Sequence, residues 1–266
     1  ESENSEALRN CLNVSDDAME RKKVALVTAA TEGIGFAIAR RLAREGCHVI
    51  ISSRKQDNVD RAVKSLVAEG LSVSGRVCHV GIDEQRRSLV KEAVDKFGKI
   101  DVFVSNAAVN PTTERISEMS EKAVDKLVDI NIKSAIFLYQ LVAPHIPEGG
   151  SIIFVSSVTA YHPALPLSLY AACKTALLGL TKAVAGEMAE NGVRVNCVAP
   201  GFVPTKFSSA LTATEEATDM LKGSTMLKRL GTPDEIAGAV AFLCSKDASY
   251  VTGETLVVSG GMQSKL

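Results

Sequence analysis

Tyr170 and Lys174 stand four residues apart in Ser168-Leu169-Tyr170-Ala171-Ala172-Cys173-Lys174, and the run that follows, 175–180, reads as helix. Spacing of i and i+4 puts a phenol and an ammonium on one helical face, one turn apart. A phenol is a weak acid near neutrality because its unperturbed pKa is about 10. A neighbouring cation favours the phenolate, so Lys174 is expected to draw the Tyr170 pKa down toward the working range. Upstream, Ser156-Ser157 closes the apolar run Ile152-Ile153-Phe154-Val155, which reads as a buried strand. A Ser157 hydroxyl at that strand end, facing the helix, would hold a carbonyl oxygen while Tyr170 protonates it. The Tyr/Lys spacing alone is common on protein surfaces. The elements around it decide what it means.

Near the start, residues 23–28 read as a strand ending at Thr28, residues 29–35 as a turn, and residues 36–45 as a helix. The turn holds Ala29, Thr31, Gly33, Ile34 and Gly35. Strand, glycine turn and helix are the context a dinucleotide needs. Glycines let the backbone approach the pyrophosphate, and the helix N-terminus offers N–H groups and positive partial charge. NAD enzymes of this architecture carry an acid near the end of the second strand, for the ribose 2′-hydroxyl. Here that stretch reads Ile51-Ser52-Ser53-Arg54-Lys55. Ser53 replaces the acid, and Arg54 and Lys55 suit a 2′-phosphate, so NADP(H) is the expected cofactor.

Three further segments join these: Ser105-Asn106-Ala107-Ala108 after a strand, Asp129-Ile130-Asn131 in a helix, and Asn196-Cys197-Val198-Ala199-Pro200-Gly201 after another strand. With them the chain resembles the short-chain dehydrogenase/reductase family over about residues 20–262. Within that family it is similar to the peroxisomal NADPH-dependent carbonyl reductases, also described as retinal reductases. That narrower likeness rests on residues 35–42, 52–56, 78–81 and 105–111.

The resemblance implies reduction of ketones, diketones or retinal-like carbonyls, with hydride from NADPH and a proton from Tyr170. It implies that Lys174 hydrogen-bonds the nicotinamide ribose, that Ser157 binds and orients the carbonyl, and that Asn131 holds a water linking Lys174 to solvent. Asn106 and Ala107 would shape the cofactor side of the cleft, and Pro200, Gly201, Val203 and Thr205 would line it. A homotetramer is also implied. The chain departs from the family pattern twice. Ala29 stands where the first turn glycine is usual, and positive φ is unfavourable there for alanine. His79-Val80 stand where an Asp often caps the adenine, so His79 is expected at the adenine edge. Two alternatives stay open: a 3-oxoacyl-thioester reductase of fatty-acid metabolism, and a dinucleotide-binding protein without turnover.

Seven apolar strands are expected, at 24–28, 48–52, 72–77, 102–105, 152–156, 194–198 and 256–258, with helices between them. That alternation points to a single-domain α/β Rossmann fold over 23–263, with a parallel sheet covered on both faces. Strand order 3-2-1-4-5-6-7 is implied by the resemblance. The segment 205–230, with Phe207, Leu211, Met220, Leu221 and Met226, reads either as a mobile lid over the substrate or as an ordinary helix-loop connection.

A chain of 266 residues that is 46% apolar is long enough to bury one α/β core. Its net charge of −1 gives no electrostatic footprint for nucleic acid or an anionic membrane. No uncharged apolar stretch reaches membrane-spanning length; the longest candidate, 169–188, is broken by Lys174, Lys182 and Glu187. Six scattered cysteines without a C-x-x-C pair suggest reduced thiols and no metal site. Residues 1–22 form a polar extension containing Glu1, Glu3, Glu6, Asp16 and Asp17, too acidic for a mitochondrial transit peptide. The closing Ser264-Lys265-Leu266 matches a peroxisomal address read by an import receptor, so the peroxisome is the expected compartment, with the cytoplasm second.

Overall fold

The computed structural model describes residues 22–209 and 211–264. The polar extension up to residue 21, with Cys11, and the last two residues of the terminal tripeptide lie outside it. Seven strands form one parallel sheet: β1 (Val24–Val27), β2 (His48–Ser53), β3 (Val73–Val77), β4 (Val102–Ser105), β5 (Ser151–Val155), β6 (Arg194–Pro200) and β7 (Thr255–Val258). Their order is β3-β2-β1-β4-β5-β6-β7, as the resemblance implies.

The central strands β1, β4 and β5 read as continuous apolar runs because both sheet faces are covered there. Side chains alternate across a strand. Ala25 and Val27 of β1, with Val49 and Ile51 of β2, pack on one face. There they meet Ile38 and Leu42 of α1 (Gly33–Arg44), Leu66 of α2 (Gln56–Ala68) and Val240 of a helix spanning Pro233–Cys244. Val24, Leu26 and Ile50 face the other way, with Phe103 of β4 and Phe154 of β5. They meet Leu89 of α3 (Asp83–Phe97), then Leu138 and Val184 from helices later in the chain. Parallel strands buried on both faces need this pattern.

After β4, the chain runs through α4 (Glu121–Val128), a π-helical turn over Asp129–Lys133, and α5 (Ser134–Val142). The whole helical run Glu121–His145 is long and apolar enough to cross a membrane by length and composition alone. A search for uncharged runs passes over it because Asp129 and Lys133 interrupt it; they pair with each other at 2.8 Å. Next come the long α6 (Ser168–Ala189), then α7 (Glu215–Gly223), and finally α8 (Pro233–Cys244), which opens with a capping box between Thr232 and Glu235.

Two boundaries differ from expectation in a useful way. α1 starts at Gly33, three residues earlier than its apolar periodicity suggests, because the glycine turn already winds into the first helical turn. β6 extends to Pro200, which pairs with Val258; at the end of a strand the missing proline N–H costs little. Sheet order reverses at β1 and β4, and a crevice opens at the carboxyl ends of the strands there. In doubly wound sheets ligands bind at that point. Among the described residues all five cysteines are free and buried.

Candidate active site

The turn after β1 is held by its neighbours. Asn106 Nδ2 donates to the carbonyls of Thr28 at 3.0 Å and Ala29 at 3.1 Å. Thr28 Oγ1 in turn accepts from the backbone N–H of Asn106 at 3.0 Å. Ala29 adopts φ 51°, the left-handed conformation that its side chain disfavours, and Asn106 stabilises it there. Gly35 has no room for a side chain: a Cβ would lie 2.4 Å from Asn106 Nδ2 and 2.6 Å from Ala29 O. Gly33 needs φ +58°. The α1 N-terminus carries no acidic residue in its first turn and no side-chain cap, which leaves it suited to an anion.

From this turn a cleft of about 1180 Å³ runs along the strand ends. Ala29, Thr31, Gly33, Ile34 and Gly35 line one part of it. Ser53, Arg54 and Lys55 line the part beside β2, and His79 and Val80 the part beside β3. Asn106 and Ala107 follow β4, and Pro200, Gly201, Val203 and Thr205 follow β6. Ser157, Tyr170 and Lys174 complete the wall. Two expected residues stand behind it. Thr28 is fully buried and fixes the β4 exit. Asn131 is also buried, and its amide pairs twice with Val109: Nδ2 donates to the carbonyl and Oδ1 accepts from the N–H, both at 2.9 Å.

Tyr170 and Lys174 project from the first two turns of α6, with 6% and 2% of their surface exposed. The Lys174 ammonium donates to Val155 O at 2.8 Å and lies 5.7 Å from the centre of the Tyr170 ring. Ser156 Oγ ties β5 to α6 by donating to Lys174 O at 2.8 Å. Ser157 Oγ accepts from the Thr159 hydroxyl at 2.9 Å and from the Thr159 N–H at 3.2 Å. With its acceptor positions engaged by Thr159, the Ser157 hydroxyl keeps its proton to give to a group in the cleft that Tyr170 also lines.

The expected lowering of the Tyr170 pKa is not what this arrangement produces. Burial pushes the phenol above its usual value, and the Ser157 hydroxyl opposes that only in part. Burial also brings Lys174 down to about 8. Removing a group from water disfavours its charged form, and burial is the leading cause of the shift for both groups. Tyr170 is therefore held as a neutral phenol that carries its proton.

On the β2 side, Arg54 and Lys55 are exposed, and among the described residues no carboxylate pairs with either. The segment 205–230 folds as turns plus α7 and contributes Thr205, Lys206, Phe207, Ser208 and Leu211 to the cleft. Phe207 packs on Tyr170 with ring centres 5.6 Å apart, tilted by 44°. Two contacts escape sequence reasoning: this ring pair, and the Thr159 hydroxyl on Ser157. Neither carries a spacing signal, because each depends on how a loop folds back.

Comparison with known proteins gives the same picture. The family model described as "Enoyl-(Acyl carrier protein) reductase" matches residues 28–263. Tropinone reductase-like 3 of Erythroxylum coca is 56% identical over 92% of this chain and 94% of its own length. Dehydrogenase/reductase SDR family member 4 of Homo sapiens is 51% identical over 97% and 95%. Among solved structures, an actinorhodin polyketide ketoreductase with NADPH superposes with TM-score 0.85 at 31% identity, over 91% of this chain and 97% of that one. A short-chain dehydrogenase of Burkholderia cenocepacia in complex with NADP gives 0.83 at 30%, over 90% and 97%. With a seven-stranded sheet in this order and matches across nearly the whole chain, the protein belongs to the short-chain dehydrogenase/reductase family of oxidoreductases.

Proposed function

We propose that the protein is an NADP(H)-dependent carbonyl reductase acting on ketones, diketones and retinal-like carbonyls. One observation carries this reading: a buried phenol, a buried ammonium and a serine hydroxyl converge in the cleft that also holds the glycine turn. The residues fit a dinucleotide phosphate. The uncapped α1 N-terminus suits the pyrophosphate, and Ser53 with Arg54 and Lys55, with which no carboxylate among the described residues pairs, suits the 2′-phosphate. When bound, reduced nicotinamide supplies the hydride.

The protein's own groups do the rest. Ser157 donates to the carbonyl oxygen and orients it, and Tyr170 passes its proton to that oxygen as negative charge develops. Lys174, held by Val155 O, keeps a positive charge beneath the site and would hydrogen-bond the nicotinamide ribose. The Asn131 side chain is committed to Val109, so the water-holding role falls to the backbone of its π-helical turn. A homotetramer belongs to the same reading.

The test is steady-state reduction of ketones, retinal and 3-oxoacyl thioesters with NADPH and NADH. A ketone or retinal should react best, and kcat/KM should favour NADPH. Arg54→Ala should cost about ten- to a hundredfold on the NADPH side only, the worth of a hydrogen bond to a charged group. Equal kcat/KM with the two cofactors would remove the NADPH assignment. Acyl thioesters as the sole substrates would replace the carbonyl reading.

A further inference from the structure

His79 follows β3, one strand beyond Ser53 and Arg54, and lines the cleft. Its placement is fixed by short local bonds. Cys78 N–H donates to Ser53 O at 2.9 Å, which locks the β3 exit against the β2 exit. The His79 N–H donates to Gln85 Oε1 at 2.7 Å. The ring is fixed as well: Nδ1 accepts the Gly81 N–H at 3.1 Å. A neutral imidazole that accepts through Nδ1 must carry its proton on Nε2. Partial burial and the nearby Arg54 charge favour that neutral form. Among the described residues, no group pairs with Nε2. The side chain therefore offers the cleft one hydrogen-bond donor and no acceptor.

On the dinucleotide reading above, with the pyrophosphate at α1 and the 2′ substituent at the end of β2, the cleft continues to the next strand of the sheet, β3, which leaves that end for the purine. His79 lines the cleft beside β3, and Asn58, Asp125, Lys126 and Asp129 line the same cleft. The 6-amino group of adenine is a donor, and N1 and N7 beside it are acceptors. A donor-only imidazole can bond to a ring nitrogen but cannot itself accept from the amino group. A 6-oxo purine would present an acceptor in its place. We infer that His79 reads the cofactor purine as a hydrogen-bond donor, so that this enzyme accepts a 6-oxo purine dinucleotide as readily as the 6-amino one. The inference rests on the dinucleotide reading above and adds the polarity of base recognition to it.

The test is equilibrium binding, followed by nicotinamide fluorescence, of NADPH and of its hypoxanthine analogue. The unmodified protein should bind the analogue at least as tightly as NADPH, with an advantage of up to about twelvefold, the range of one neutral hydrogen bond. His79→Asp turns the donor into an acceptor. It should reverse the order in favour of NADPH, and since its added charge weakens both ligands alike, the ratio of the two Kd values is the readout. NADPH binding tenfold or more tightly than the analogue to the unmodified protein would overturn the inference, whether or not the variant folds. So would a ratio unchanged in a folded His79→Asp. If neither dinucleotide bound, the cofactor reading itself would fall; tight NADPH binding with the wrong ratio rejects only the role of His79.

Discussion

Burial leaves Tyr170 a protonated phenol, which suits the reducing direction, in which a proton must be given away. Its donor atom is one hydroxyl on a ring packed between α6 and Phe207. Tyr170→Phe keeps the ring and that packing and deletes the proton. We expect turnover of a ketone to fall by about 10²–10⁴-fold, the usual worth of general acid catalysis, with NADPH affinity retained in a fluorescence titration. Turnover near the unmodified rate would remove Tyr170 from the chemistry. At this scale the sequence is informative wherever chemistry is written as spacing: Tyr170 and Lys174 share a helical face, and Ser157 ends a strand. It is silent where a role depends on tertiary surroundings. The direction of the Tyr170 pKa follows from how completely the fold encloses it. The commitment of Asn131 to Val109 depends on a loop passing within 2.9 Å of its amide.

Among the elements, the glycine turn between β1 and α1 carries the strain. Ala29 sits at φ 51°, where an alanine costs about 1–2 kcal/mol relative to its usual conformations. Glycine would relieve that strain but loses about 0.4–1 kcal/mol through its freer unfolded chain. Ala29→Gly is therefore expected to stabilise the fold by about 0.5–1 kcal/mol, raising Tm by about 1–4 °C in a thermal melt. A lower Tm would mean that the Asn106 hydrogen bonds had already removed the strain. The central strands β1, β4 and β5 were legible because parallel strands buried on both faces become uninterrupted apolar runs, whereas β3 and β7 at the edges are only partly buried. Helix starts were less so, since Gly33 looks like turn and serves as helix. The π-helical turn at Asp129–Lys133 had no signature at all, because one wider turn leaves the apolar spacing on either side nearly intact.

At the scale of the whole molecule, two apolar surfaces among the described residues are suited to meet another copy of the chain. The first is the outer side of the run Glu121–His145, where Phe137 is 40% exposed. Beside it a groove of about 400 Å³ is lined by Ile136, Tyr139, Leu180 and Val184. The second is β7, at the sheet edge, with Leu256 37% exposed and a strand neighbour on one side only. An exposed strand edge invites pairing, and an apolar helix pair invites packing. Each face can meet its own copy across a twofold axis, and two such axes close a tetramer without leaving an open chain. Light scattering at micromolar concentration should give four copies. Ile136→Glu places like charges against each other across the helical axis and leaves β7 untouched, so we expect dimers with unchanged secondary structure by circular dichroism. A stable monomer before substitution would reject the assembly. A variant that stays tetrameric would show that the helical face is not one of its interfaces.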